Sequence, residues 1–203
     1  MYKAILAGLT ILLGSTVASA SADPVEELKG SVTEAVEVLY GEGSEAKSVE
    51  LKRDEVRAAF EKNYNMDIII RRAIGSNWRR LTEEEQTRVL ELIKAVVLKA
   101  YIDGMEGRAR PEIRYEAAVQ LGEHRLEIPS VVVMEDRTVS LKYKLARMQS
   151  GWELYDLVAE EISLVANYRQ QFDEHFRRGT AAKLIEKLEG LLNHEKLDHK
   201  VTL

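Results

Sequence analysis

Four histidines, His124, His175, His194 and His199, are the first place to look for metal or proton-transfer chemistry. None stands in the H-E-x-x-H spacing that puts two imidazoles one helical turn apart. His194 and His199 also fall in a polar terminal stretch that reads as solvated. Ser163 lacks the Gly-x-Ser-x-Gly setting of a strained nucleophile turn. Glu160 and Glu161 are adjacent acids, and adjacent residues of a helix do not face each other. No glycine-rich phosphate loop occurs, and the chain has no cysteine, hence no thiolate and no disulfide. The expectation is that there is no catalytic residue, no metal site and no cofactor. Two polar groups remain. Arg71, Arg72, Arg79 and Arg80 cluster in one stretch, where forked guanidinium donors suit either phosphate or a solvated face. Tyr155-Asp156 stands where a strand gives way to a helix. Asp156 there can cap the helix, pair with Arg169 or meet a ligand headgroup.

The elements that must position these residues come in three blocks. The first is helical. Val25, Leu28, Val32, Val36 and Leu39 recur at spacings of three and four and mark one helix face. Val56, Ala59 and Phe60 mark a second helix, and Met66, Ile69, Ile70, Ala73 and Ile74 a third that stops near Gly75. Thr82 followed by Glu85 is a capping box, so a long helix starts there and runs through Tyr101. Its apolar residues cover more than one face, which implies burial on two sides. The second block has period two: Ile113 to Leu121, then Val139 to Leu145, with a less regular strand from Leu126 to Met134 interrupted at Pro129 and a fourth beginning at Gly151. The third block is helical again, from Ile162 to Phe176 and from Leu184 to Leu192, with a polar tail over 195–203. Segregated helices and strands argue for an α+β fold, a four-stranded antiparallel curved sheet covered by the N-terminal and C-terminal helices in a single domain over 23–194.

The ends and the charge narrow the class. Met1-Tyr2-Lys3, an apolar run from Ala4 to Val17 and the small residues Ala18-Ser19-Ala20-Ser21-Ala22 have the order of an export signal over 1–22, cleaved after Ala20 or Ala22. The run is short of the ~20 residues a spanning helix needs. A formal charge of −5 excludes the whole-molecule basic field that nucleic-acid binding requires.

Three stretches carry a resemblance. Gly75-Ser76-Asn77-Trp78-Arg79-Arg80 leads into Thr82-Glu83-Glu84-Glu85; Trp152-Glu153-Leu154-Tyr155-Asp156 forms a strand; Ser163-Leu164-Val165-Ala166-Asn167-Tyr168-Arg169-Gln170-Gln171-Phe172 starts a helix. In order and spacing they resemble the MlaC, or toluene-tolerance, family of periplasmic phospholipid-binding proteins, which includes hopanoid-associated members. Two features depart from the family pattern. Glu161 stands where the family usually has Gly, and the hairpin Met134–Thr138 lacks glycine.

The resemblance implies a periplasmic carrier with an apolar cavity between sheet and helices. Lipid is its cargo, and its partners are an inner-membrane ABC transporter and an outer-membrane lipoprotein complex. The wall residues expected from the sheet are Tyr115, Val119, Leu141, Tyr143, Leu145, Trp152 and Leu154. Those expected from helices are Ile70, Ile74, Trp78, Val89, Ile93, Val96, Val97, Ile162, Val165 and Tyr168. Tyr155, Asp156 and Arg169 are headgroup or structural candidates. Apolar periodicity by itself is equally compatible with an ordinary close-packed core, with a small α+β enzyme acting on an apolar substrate, or with an adaptor that has no cavity.

Overall fold

A computed structural model describes residues 23–197. The expected export signal over 1–22 lies outside them, as does the end of the expected tail. Six α-helices and a six-stranded sheet make up the described chain. They are α1 (Pro24–Tyr40), α2 (Val49–Glu61), α3 (Met66–Ile74), α4 (Glu83–Met105), β1 (Glu112–Tyr115), β2 (Val119–Gly122), β3 (Arg125–Val133), β4 (Thr138–Met148), β5 (Gly151–Ala159), β6 (Ile162–Ser163), α5 (Leu164–Arg178) and α6 (Ala181–Leu192).

Local chemistry accounts for most boundaries. Asp23 accepts a hydrogen bond from the Val25 N–H at 2.9 Å, and Pro24 occupies the first turn of α1, where its missing N–H costs nothing. The Thr82 box closes in both directions: Thr82 Oγ1 accepts from the Glu85 N–H at 3.2 Å, and Glu85 Oε2 accepts from the Thr82 N–H at 2.9 Å. Gly75 ends α3 with φ +64° and leads into a 3-10 turn, Gly75–Arg80. A Cβ at Gly75 would sit 3.2 Å from Arg169 Nε, so both backbone freedom and a close approach call for glycine.

The sheet is antiparallel, in the order β1-β3-β4-β5-β6, with β2 on the same edge of β3 as β1. This corrects the expected four strands. The first predicted strand is one lane broken in two. The break lies opposite Pro129, whose carbonyl accepts from the Glu116 N–H at 3.0 Å but which has no N–H to return. β3 itself runs through Pro129 without interruption, so the irregularity falls on its neighbour. Across the break the register slips by one: Tyr115 pairs with Ser130, whereas Val119 pairs with Glu127. A one-residue slip turns every later side chain to the opposite face. The last strand, expected to lead straight into a helix, instead turns back as the two-residue β6 against β5.

The buried apolar residues fall into three clusters. One joins α3, α4, α5 and α6 through Ile74, Val89, Ile93, Phe172, Leu184 and Leu188. A second joins α1 and the sheet through Leu28, Val32, Ile128, Tyr143 and Leu145. The third joins α1, α2 and α4 through Ala35, Val56, Ala59 and Leu98. α4 therefore packs on two sides, as its girth of apolar residues implies. The helical layer comes closest to the sheet where α3 and α5 reach β5.

The segment after His194 remains attached. Leu197 is buried and donates its N–H to Asp103 Oδ2 at 2.8 Å, while Lys99 Nζ, paired with that same oxygen at 2.8 Å, donates to the Glu195 carbonyl at 3.1 Å.

Candidate functional site

The strand register places Tyr115, Leu141, Tyr143, Leu145 and Leu154 on one face of the sheet. Tyr115 lies beside Ser130, and Ser130 beside Leu141; Ile128 lies beside Tyr143; Leu126 and Leu154 flank Leu145. Trp152 follows two residues before Leu154 on the same face. α1 covers this face with Leu28 and Val32, joined by Val25, Phe60 and Tyr64. The cover is incomplete. Leu145 is fully buried and Tyr143 nearly so, but Tyr115, Leu141, Trp152 and Leu154 are only half-buried although they sit on the inner face.

The helical residues expected to share this wall are mostly elsewhere. Ile70, Ile74, Val89, Ile93, Val96 and Val165 belong to the α3–α4–α5–α6 cluster, with Trp78 and Tyr168 packed against it. The structure thus splits the expected wall into a sheet group and a helix group.

Three expected wall residues are exposed: Val119 at 45%, Val97 at 44% and Ile162 at 56%. Val119 is turned outward by the slip opposite Pro129, and Ile162 lies in the short β6. Val97 differs from both. It shares a stripe of α4 with Leu90, Ile93 and Tyr101, which lie at helical spacings from it. Leu90 and Ile93 are buried, as is Ala100, and Tyr101 is half-buried. Val97 keeps accessible surface although Leu90, Ile93 and Ala100 beside it are buried.

Tyr155, Asp156 and Arg169 are tied into the frame. Asp156 Oδ2 accepts from the Ser163 hydroxyl at 2.8 Å and Oδ1 from the Val165 N–H at 3.2 Å. Ser163 in turn accepts from the Ala166 N–H at 3.0 Å, so both side chains cap α5. Arg169 donates through Nε to the Arg72 carbonyl at 3.1 Å, and its terminal nitrogen donates to the same oxygen. Among the described residues no ion pair joins Arg169 to Asp156. The Arg72 guanidinium lies 5.0 Å over the Tyr155 ring.

Two other arginines of the cluster follow the same pattern. Arg71 lies 5.1 Å over Trp78 and Arg80 lies 5.1 Å over Phe176, while Arg80 also donates to the Phe176 carbonyl at 2.7 Å. These guanidinium groups cover aromatic faces.

The corner before α5 keeps a glycine-like backbone without glycine. Glu160 and Glu161 have φ of +50° and +63°. Their carboxylates hold the strain in place: Glu160 accepts from the Ser140 N–H at 2.5 Å, and Glu161 holds Lys142 at 2.6 Å.

Sequence reasoning missed three polar groups. Glu153 is buried in β5, where Oε2 accepts from the Asn65 N–H at 2.8 Å and Oε1 from Ser150 at 2.8 Å. Buried Asn77 donates to Asp173 at 2.6 Å and ties the 3-10 turn to α5. The third is a set of interior hydroxyls. Tyr64 Oη, Tyr115 Oη and Ser130 Oγ are buried without a hydrogen-bond partner among the described residues. Their positions in apolar patterns give no signal that distinguishes them from core.

Among the described residues no group of histidines and carboxylates is arranged to hold a metal ion, and no helix is long and apolar enough to cross a membrane. A cleft of about 520 Å³ opens between α2, α4 and α6, lined by Arg57, Arg88, Glu91, Leu92, Ala95, Glu189, Leu192 and Asn193. It is open, crossed by the ion pairs Arg57–Glu91 and Arg88–Glu189, and contains none of the expected wall residues.

No curated protein matches the chain. Among solved structures, the phospholipid-binding protein from Ralstonia solanacearum, determined in complex with a phospholipid, shares the fold. Its TM-score is 0.73 at 18% sequence identity, over 84% of this chain and 97% of that one. A family model described as MlaC protein matches residues 29–190. That match spans nearly all of the helices and the whole sheet, and the chain belongs to the MlaC family.

Proposed function

We propose that this protein is a periplasmic phospholipid carrier that holds acyl chains between the inner face of the sheet and the helical layer. The observation that carries the reading is Val97, 44% exposed beside the buried Leu90, Ile93 and Ala100 of α4. The half-buried inner-face residues Tyr115, Leu141, Trp152 and Leu154 support it from the sheet. Family membership and the shared fold of a protein solved with a phospholipid point the same way.

The physical need is plain. A diacyl lipid has about 28 methylenes, and exposing them at about 0.8 kcal/mol each costs roughly 20 kcal/mol. Free passage through water is negligible. A carrier replaces that water with apolar walls, and it must bind with small net gain in order to release. On this reading the chain acts as a carrier rather than an enzyme. It exchanges cargo with an inner-membrane ABC transporter and an outer-membrane lipoprotein complex, and the cargo is a phospholipid or, in the alternative, a hopanoid-type lipid.

The test is the lipid that accompanies the protein. Gentle purification from a membrane-containing host, solvent extraction and mass spectrometry should recover lipid in near-stoichiometric amount. A protein that carries none overturns the reading.

A further inference from the structure

Tyr64, Tyr115, Ser130 and Tyr143 stand together between α1 and the sheet. Tyr115 is the strand neighbour of Ser130, and Tyr143 lies on the next inward pair of the same face. Tyr64, between α2 and α3, joins the same cluster from the helical side. Tyr64 is 3% exposed and Ser130 1%. The hydroxyls of Tyr64, Tyr115 and Ser130 find no partner among the described residues. Phenylalanine would fill the positions of Tyr64 and Tyr115 without stranding a polar atom, while Ser130 also stands beside the Tyr143 phenol.

We infer that these hydroxyls form a donor cluster for neutral acceptor oxygens of the cargo, namely the carboxylic ester carbonyls that join acyl chains to a glycerol backbone. The inference rests on the lipid-carrier reading. Ester carbonyls are uncharged, accept hydrogen bonds and sit at the head of the hydrocarbon, where a deep apolar wall meets a few donors. Charge argues against a phosphate here. The carboxylates of Glu27 and Glu153 act on Tyr64, and Lys29, 5.7 Å over the Tyr115 ring, is already paired with Glu26 at 2.8 Å. Burial pushes the Tyr115 phenol up to about 12 and moves those of Tyr64 and Tyr143 in the same direction. All three therefore keep their protons as donors across the physiological range.

The probe is a pair of synthetic phosphatidylglycerols with identical headgroup and chain length, one diacyl ester and one dialkyl ether, competing for the delipidated mature protein. The wild type should prefer the ester about tenfold. The double variant Tyr64→Phe/Tyr115→Phe should bring the two lipids to parity while the thermal midpoint of the lipid-free protein stays level or rises. Ser130→Ala, at the other end of the cluster, should lower the preference in the same direction. Equal binding of ester and ether by the wild type overturns the inference and leaves the carrier reading intact. So does an unaltered preference in the double variant, or a lipid-free midpoint that falls by several degrees, since the hydroxyls then have a partner within the protein. Failure to bind either lipid removes both readings together.

Discussion

The two halves of the interior are packed to different standards. Between α3, α4, α5 and α6 the side chains interlock: Ile74, Val89, Leu184 and Leu188 have essentially no exposed surface. On the inner face of the sheet Leu28, Ile128 and Leu145 are as fully buried, but Tyr115, Leu141, Trp152 and Leu154 keep surface, and three hydroxyls there lack partners. Protein interiors normally reach crystal-like density and satisfy their polar groups. The helical half holds the frame, with stacked arginines and the Asp156–Ser163 cap fastening it to β5. The sheet half carries the partly open residues, as the proposed carrier would need. On the carrier reading proposed above, the difference separates residues that stabilise the fold from residues available to cargo.

The contrast can be broken most severely in the helical half. Leu184→Ala should cost about 2–5 kcal/mol, because a closed site cannot collapse around the missing methyls. Chemical denaturation measures it, and lipid content per folded molecule should not change. A loss near zero would mean that this half is as loose as the other. Val97→Trp reverses the pattern: it should strip most of the lipid from the purified protein while moving stability by only about 1 kcal/mol or less, as at an exposed position. Lipid mass spectrometry beside a melting curve separates the two effects, and Leu141→Trp offers the same test from the sheet side.

Smaller effects sharpen the boundary between the halves. Asp156→Ala should cost about 1 kcal/mol through loss of the α5 cap, with cargo unaffected; loss of cargo at full stability would make Asp156 a headgroup contact instead. Alkaline pH probes the tyrosines. Burial, and next the neighbouring Tyr101 and Tyr64, hold Tyr115 in its neutral form up to about 12, whereas its unfolded counterpart ionises near 10. Stability should be intact below pH 10 and fall as pH rises from there toward 12, since the unfolded chain releases its proton first. Urea midpoints between pH 8 and 11 check the sign. The smallest effect is expected at the β5–β6 corner: Glu161→Gly should exceed Glu161→Ala in stability by about 1 kcal/mol, because both lose the Lys142 contact and only glycine sheds the left-handed strain. Equal melting temperatures would show that φ of +63° carries no strain in this chain.

Much of the fold was legible because it rests on local rules. The Thr82–Glu85 box, the α1 stripe and the stop at Gly75 each depend on residues within a few positions of one another. The site was harder to read. Val119 fits an alternating strand as well as Tyr115 does, and only the lapse opposite Pro129 turns it outward. Helical and sheet wall candidates carry the same apolar signal, yet they lie in different clusters, since periodicity reports which face is buried and not against what.

From its sequence alone the chain determined its succession of helices, strands and helices, the caps that bound them, and a set of motifs specific enough to place it in its family. These are encoded in short-range spacing and residue type. Tertiary structure decided how the sheet's first lane breaks, which apolar residues interlock and which stay half-open, and where three hydroxyls come to rest without partners. Such outcomes depend on distances between residues far apart in the chain, and no local pattern contains them.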